Sequence, residues 1–116
     1  MFTLYEQNAA FEDLNNRAKQ LLGELMGTKT IINEFVAYHM LSNVMQGASP
    51  LPERSFLIVT YAMCGFANLG SIAIIIGGIG GIAPDRRQDL ARLGLRALLG
   101  GTIATMLTGT VAGFYI

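Results

Sequence analysis

Residues 55–84 read SFLIVTYAMCGFANLGSIAIIIGGIGGIAP, thirty consecutive positions without a charged side chain between Arg54 and Asp85. A helix of about 20 apolar residues is long enough to cross the hydrocarbon core of a bilayer. The stretch therefore predicts a membrane-embedded segment, which we place at residues 54–83. A chain built around such a segment is expected to be a membrane protein.

The composition supports this class and excludes others. Hydrophobic residues make up 52% of the 116 positions, charged residues make up 14%, and the formal net charge is zero. No basic surface is available for nucleic acid, so no nucleic-acid partner is expected. The single cysteine, Cys64, excludes an internal disulfide and a cysteine-based zinc cluster. Because no nucleophile elbow or metal-ligand spacing is found, we predict neither an enzyme nor a resident cofactor.

The centre of the stretch is polar and rich in glycine. It reads CGFANLGS over residues 64–71, which sets the amide of Asn68 and the hydroxyl of Ser71 among glycines. Such a segment favours a helix break, and secondary transporters build substrate sites from broken helices. The alternative is that both side chains hydrogen-bond to a neighbouring helix as part of ordinary packing. The stretch alone leaves both interpretations open.

A second uncharged stretch covers residues 97–116 and predicts a final helix over 88–116. The intervening loop, residues 84–96, carries four arginines, which predicts a cytoplasmic loop and an outward-facing C-terminus. Small residues recur every fourth position in the final helix, at Gly101, Thr105, Gly109 and Gly113. A face of this kind lets another helix approach closely, so it predicts a protein neighbour.

The N-terminal part is expected to form a hairpin of two helices over residues 9–44. Apolar residues recur at three- and four-residue steps between Phe11 and Met26, which is typical of an amphipathic helix that Gly27 would end. A second apolar run over 31–44 is too short for a full span. We expect the two helices to meet at residues 27–30, as a re-entrant hairpin that enters the membrane and returns.

Glu34 is the ionisable residue of this second run that most favours a functional role. A carboxylate within an apolar membrane segment is costly unless it faces a partner or an aqueous cavity. An ionised carboxylate only accepts hydrogen bonds, so its ligand would be a pair of hydroxyl donors, such as a ribose diol, or a cation. The alternative is that Glu34 lies at the membrane interface and pairs with Lys29 as a solvated tip.

Three blocks of the sequence resemble one family. Residues 27–38, GTKTIINEFVAY, resemble the GTKxxxNEFVAY signature of the concentrative nucleoside transporters. Residues 62–72, AMCGFANLGSI, resemble the broken-helix sequence of that family, and residues 83–98 resemble its last loop and final helix. The resemblance keeps the order and spacing of the blocks and covers roughly residues 22–113.

The resemblance implies an all-α membrane protein with a re-entrant helical hairpin, a discontinuous transmembrane helix and a final transmembrane helix. Residues 1–116 would form a single partial domain that resembles the transporter's C-terminal region. By the family's motifs, Glu34 would accept hydrogen bonds from ribose hydroxyls with Asn33 beside it. Asn68 and Ser71 would complete the sugar contacts, and Phe66 would line the cavity.

The resemblance also implies partners. The substrate would be a nucleoside, uridine-like or purine, and the coupling ion would be Na⁺ or H⁺, bound at a site outside this chain. The family's first hairpin and the scaffold of its homotrimer have no counterpart here, so a truncated or split chain that needs the missing N-terminal half is expected. It would lie among lipids in the plasma (inner) membrane. We predict part of a cation-coupled nucleoside symporter; the alternative is a small membrane interaction protein, or a degenerate fragment without transport activity.

Overall fold

The computed structural model describes residues 4–48 and 50–115, with the side chains of 4–11 and 14 left aside. The described residues form an elongated bundle, 70 × 25 × 22 Å, in which all regular secondary structure is helical. The elements in chain order are α1 (Leu4–Ile31), α2 (Glu34–Gln46), α3 (Glu53–Met63), α4 (Leu69–Ile82), a 3₁₀ turn (Pro84–Arg86) and α5 (Arg87–Tyr115).

Helices α1 and α2 form the hairpin, but its turn lies further along the chain than predicted. Gly27 does not end α1, which continues to Ile31, and the Ile32 amide still donates to Thr28 O at 2.8 Å. A glycine that ends a helix usually adopts a positive φ, and Gly27 does not. The chain turns instead at Ile32 and Asn33, because Asn33 is extended and caps the next helix.

The apolar stretch forms two short helices rather than one long one. Helix α3 has 11 residues and ends at Met63, and α4 has 14 residues and begins at Leu69. The chain leaves helical geometry over residues 64–68, which we call the interruption. It lies within the segment for which the sequence favours a break. Neither helix alone reaches the roughly 20 residues that a span needs.

Helix α5 has 29 residues and begins one residue before the predicted final helix over 88–116. The expected loop over residues 84–96 is wrong for most of its length, because the 3₁₀ turn leads directly into α5 at Arg87. Pro84 suits the start of a helix, and no glycine or proline interrupts the seven residues that follow Arg86. Within the described part of the chain, one helical segment, Pro84–Tyr115, is long and apolar enough to cross a membrane, and its most apolar 18 residues have a mean hydropathy of 1.4.

The buried core joins the hairpin to α3. Leu25 of α1, Ala37 and Leu41 of α2, and Met63 of α3 form one cluster, with each side chain at most 2% exposed. Phe56 and Val59 of α3 pack against this cluster from its edge. The end of α3, where the interruption begins, is therefore fixed against both helices of the hairpin.

The small-residue face of α5 packs on α3 of the same chain. A Cβ atom built on Gly109 would lie 2.9 Å from Ile58 O and 3.0 Å from Ala62 Cβ, and one built on Gly113 would lie 2.9 Å from Ile58 Cδ1. Both glycines are buried. The neighbour that this face predicts is therefore, at these two positions, another helix of the chain itself.

Candidate substrate-binding site

The candidate site lies where the N-termini of α2 and α4 meet. Asn33 is the N-cap of α2, and its Oδ1 accepts from the Val36 amide at 3.0 Å. Asn68 is the N-cap of α4, and its Oδ1 accepts from the Ser71 amide at 2.8 Å. Asparagine is among the most favourable N-cap residues, because its side chain satisfies an amide that has no partner within the helix. The sequence thus ends the preceding segment and begins a helix at both places.

One hydrogen bond joins the two N-termini. Asn68 is only 4% exposed, and its Nδ2 donates to Glu34 Oε2 at 3.1 Å. Glu34 opens α2, so its carboxylate lies beside two helix N-termini, whose partial positive charge stabilises an anion. The Asn68 side chain therefore caps α4 with its oxygen and holds the Glu34 carboxylate with its nitrogen.

Two polar groups at this junction keep hydrogen-bonding capacity. Glu34 is half-buried, and its Oε1 accepts no hydrogen bond from the residues that the structure describes. The Ser71 hydroxyl likewise has no partner there, although the Ser71 amide is used by the Asn68 cap. A carboxylate oxygen and a serine hydroxyl together can accept from, and donate to, the hydroxyl groups of a polyol.

An apolar groove of about 560 Å³ opens beside the junction, between the interruption, α4 and α5. Its wall includes Phe66, Asn68 and Ser71, and the rest is mainly aliphatic, with Ile72 from α4 and Leu98 from α5 among the lining residues. The Phe66 ring is 80% exposed. Ligand sites are typically apolar clefts or cavities of this size with a small number of polar groups that orient the ligand.

The structure therefore brings together four of the five predicted site residues. Glu34 and Asn68 are in contact, Ser71 follows Asn68 on the first turn of α4, and Phe66 lies on the same groove. Asn33 adjoins Glu34, but its side-chain oxygen serves the α2 cap rather than the groove.

The position of Lys29 contradicts the alternative interpretation of Glu34. Lys29 does not pair with Glu34 as a solvated tip, because its side chain is fully buried. Its Nζ donates to Ala62 O at 3.4 Å and to Thr105 Oγ1 at 3.1 Å. The proximity of Lys29 to Glu34 in the sequence gives no indication of these contacts with α3 and α5.

Comparison with known proteins gives one family. The family described as "Na+ dependent nucleoside transporter C-terminus" matches residues 14–113. The chain is 45% identical over 96 residues to the putative nucleoside permease NupX of Escherichia coli, which covers 83% of this chain and 23% of the permease. It is 42% identical over 105 residues to human solute carrier family 28 member 3, which covers 80% of this chain and 15% of the carrier.

The fold is similar to a solved transporter. A structure described as CNTnw in an inward-facing substrate-bound state superposes with a TM-score of 0.76 at 42% sequence identity, covering 80% of this chain and 23% of that one. The chain thus spans less than a quarter of the length of these relatives. These matches, together with the helical fold, show that the chain belongs to the concentrative nucleoside transporter family and corresponds to its C-terminal region.

Proposed function

We propose that this chain supplies the ribose-contacting part of the substrate site in a cation-coupled nucleoside symporter. The observation that carries the proposal is the Glu34–Asn68 hydrogen bond between two helix N-termini, beside a groove. The bond fixes one carboxylate oxygen and leaves the other open. A ribose diol would donate to the open oxygen of Glu34, and the Ser71 hydroxyl would bond to a neighbouring sugar oxygen.

A neutral polyol suits this junction better than a cation does. Glu34 lies at the N-terminus of α2, and Asn68 joins its carboxylate to the N-terminus of α4, so the partial positive charge of both helix ends lies near it. Asn68 adds an amide donor on one carboxylate oxygen. A cation bound there would be opposed by both helix ends, whereas hydroxyl groups would only complete the hydrogen bonding. The exposed Phe66 ring offers an apolar surface on which the rest of a nucleoside could stack.

The proposed setting is a membrane. Helix α5 would span it, the arginines at the start of α5 would face the cytoplasm, and the C-terminus would face outward. The hairpin would be re-entrant, and α3 with α4 would form one discontinuous helix whose interruption lies at mid-depth. Large apolar side chains on α4 and α5, such as Ile74, Ile82 and Leu99, are exposed and would contact lipid or further transporter segments.

The complete activity would need more than these residues. The relatives carry long segments that this chain does not match. We propose that such segments bind the base and the coupling ion, Na⁺ or H⁺, and build the scaffold of a homotrimer. This chain would act beside them in the plasma (inner) membrane.

Uridine uptake into proteoliposomes tests the proposal. Three samples would be compared: this chain, the part of the Escherichia coli permease that precedes the matched region, and the two together, which we call the reconstituted pair. Uptake by each would be measured under a sodium gradient, under a proton gradient and without a gradient. We expect gradient-driven uptake from the reconstituted pair and background uptake from either part. Absence of uptake from the pair, with correct insertion verified by protease protection, would favour a small membrane interaction protein instead.

A further inference from the structure

We propose that Lys29 is a positioning residue, a tethered cation that fixes the interruption between α3 and α4 and thereby holds Asn68 opposite Glu34. The proposal begins from a buried ammonium group. Lys29 is 0% exposed although it lies in the last turn of α1, close to the hairpin turn. A buried ammonium costs free energy unless its surroundings compensate it, so the groups around it should be specific.

The first compensating group is the C-terminus of α3. Lys29 Nζ donates to the carbonyl oxygen of Ala62, in the last turn of the helix. The carbonyls of a last turn have no partner within the helix and carry its partial negative charge. Lys29 thus supplies, from α1, the hydrogen bond and the charge that the end of α3 lacks.

The second compensating group ties α5 to the interruption. Lys29 Nζ donates to Thr105 Oγ1, which in turn donates to Thr102 O at 2.9 Å. The methyl group of Thr105 lies against Gly65, where an added Cβ would come within 2.6 Å of Thr105 Cγ2. Thr105 therefore contacts the ammonium with its hydroxyl and the interrupted backbone with its methyl group.

Lys29 and Glu34, the charged residues on either side of the hairpin turn, complement two helix ends of opposite charge. Lys29 faces the negative C-terminus of α3, and Glu34 is held at the positive N-terminus of α4 by Asn68. A side chain that only filled space would be better apolar, since methionine has a similar length without the desolvation cost. The ammonium is therefore placed to set where residues 64–68 lie.

Cys64 offers a direct readout of this position. It is the only cysteine of the chain, it is exposed, and it lies in the interruption. A nitroxide attached there reports the order of residues 64–68 by electron paramagnetic resonance without any substrate. In lipid bilayers, we expect the Lys29→Met variant to shift the nitroxide spectrum from a slow-motion component to a fast-motion component. Lys29→Arg should keep the slow component, and Lys19→Met, at the exposed lysine of α1, should match the unaltered chain.

Chemical rescue separates charge from packing. In Lys29→Ala, n-butylammonium should restore the slow component, and n-butanol at equal concentration should not. Thr105→Val keeps the contact with Gly65 and removes the hydroxyl, so it should also increase the fast-motion component of the nitroxide spectrum. Circular dichroism should show that the helices remain folded. An unchanged spectrum in Lys29→Met and Thr105→Val, or equal restoration by n-butanol, would overturn the proposal.

The consequence for substrate rests on the proposed function. In the reconstituted pair, Lys29→Met should raise the KM for uridine at least tenfold, and Lys29→Arg should recover most of that loss. A shift to the fast-motion component with an unchanged KM would support the positioning of the interruption by Lys29 and count against the ribose assignment. A raised KM with an unchanged nitroxide spectrum would overturn the positioning role and leave the ribose assignment standing.

Discussion

Asn68 and Glu34 lie 34 positions apart in the sequence, and a single hydrogen bond of 3.1 Å from Asn68 Nδ2 to Glu34 Oε2 joins the helices that they begin. The Asn68 oxygen caps α4 at the same time, through the Ser71 amide. The Asn68 oxygen stabilises α4, and the Asn68 nitrogen holds the Glu34 carboxylate, so the two contacts can be removed independently. Substitutions can therefore separate the structural role from the proposed role in binding.

Asn68→Ser should keep the cap and lose the link to Glu34. Serine is a good N-cap residue, but it is too short to reach the carboxylate, so helix stability should be nearly unchanged. Asn68→Ala loses both contacts and should lower the free energy of unfolding by about 1 kcal/mol. Thermal unfolding in detergent and uridine uptake by the reconstituted pair measure the two effects.

Both Asn68 variants should raise the KM for uridine, whereas Asn43→Ser, at an exposed asparagine of α2, should leave it unchanged. If Asn68→Ser retained the uridine KM of the unaltered chain, the link to Glu34 would have no part in binding.

Phe66→Ala should weaken binding without affecting the fold. The ring is 80% exposed, so its removal should leave the unfolding temperature unchanged. An aromatic contact with the nucleoside is worth about 0.5–1.5 kcal/mol, so the KM for uridine should rise about threefold to tenfold. Phe114→Ala, at a ring 83% exposed on α5 and outside the groove, is the matched control. An equal rise in KM for both variants would remove Phe66 from the site.

Gly109→Ala should destabilise the chain. The added Cβ would approach Ile58 O and Ala62 Cβ at 2.9 and 3.0 Å, and overpacking of this kind costs about 1–3 kcal/mol. Gly100→Ala on the same helix meets nothing within 4 Å and should stabilise α5 by up to about 1 kcal/mol, since alanine favours a helix more than glycine does. Thermal unfolding of the two variants in one detergent compares them directly.

Opposite shifts of the unfolding temperature are the expected result for this pair of glycines. A stabilised Gly109→Ala variant would show that α3 does not pack on α5 at this position.

Arg87 should stabilise the end of α4. Its Nε donates to Gly80 O at 3.1 Å, in the last turn of that helix. Arg87→Met keeps the aliphatic part of the side chain and removes the donor and the charge, which should cost about 0.3–1 kcal/mol locally. The Ala83 amide, bonded to Ile79 O, should then exchange about two- to fivefold faster with deuterium.

Arg86→Met is the control for Arg87, because Arg86 pairs with Asp89 on the surface, with 73% of its side chain exposed. Faster Ala83 exchange in the control than in Arg87→Met would place the stabilising contact elsewhere.

The sequence predicts the helical class, and it singles out the polar side chains that lie at the junction, because both follow from local rules. Glu34, Asn68 and Ser71 stand out as polar groups in apolar runs, and an asparagine before a helical run is a typical N-cap. That Asn68 would bond to Glu34 could not be derived from spacing, since the contact depends on how the hairpin packs against α3.

The misplaced features are those that tertiary contacts decide. Gly27 is a plausible end for α1 when the sequence is considered alone. The helix continues through it to Ile31, and the turn forms at Asn33, whose side chain caps α2. The burial of Lys29 depends on the end of α3 and on Thr105, which is 76 positions away. The arginines of residues 84–96 favour a loop, but charged residues occur freely in the exposed first turns of a helix, and most of this segment belongs to α5.

The ribose assignment of Glu34 is tested most directly by competition between uridine and 2′,3′-dideoxyuridine for uptake by the reconstituted pair. Hydrogen bonds to a charged group contribute about 1.5–3 kcal/mol, so Glu34→Gln should weaken uridine about 10- to 100-fold and leave dideoxyuridine nearly unchanged. Glu24→Gln, at an exposed glutamate of α1, should retain the full preference for uridine. An unaltered preference in Glu34→Gln would contradict the account, because Glu34 would then not contact the ribose hydroxyls.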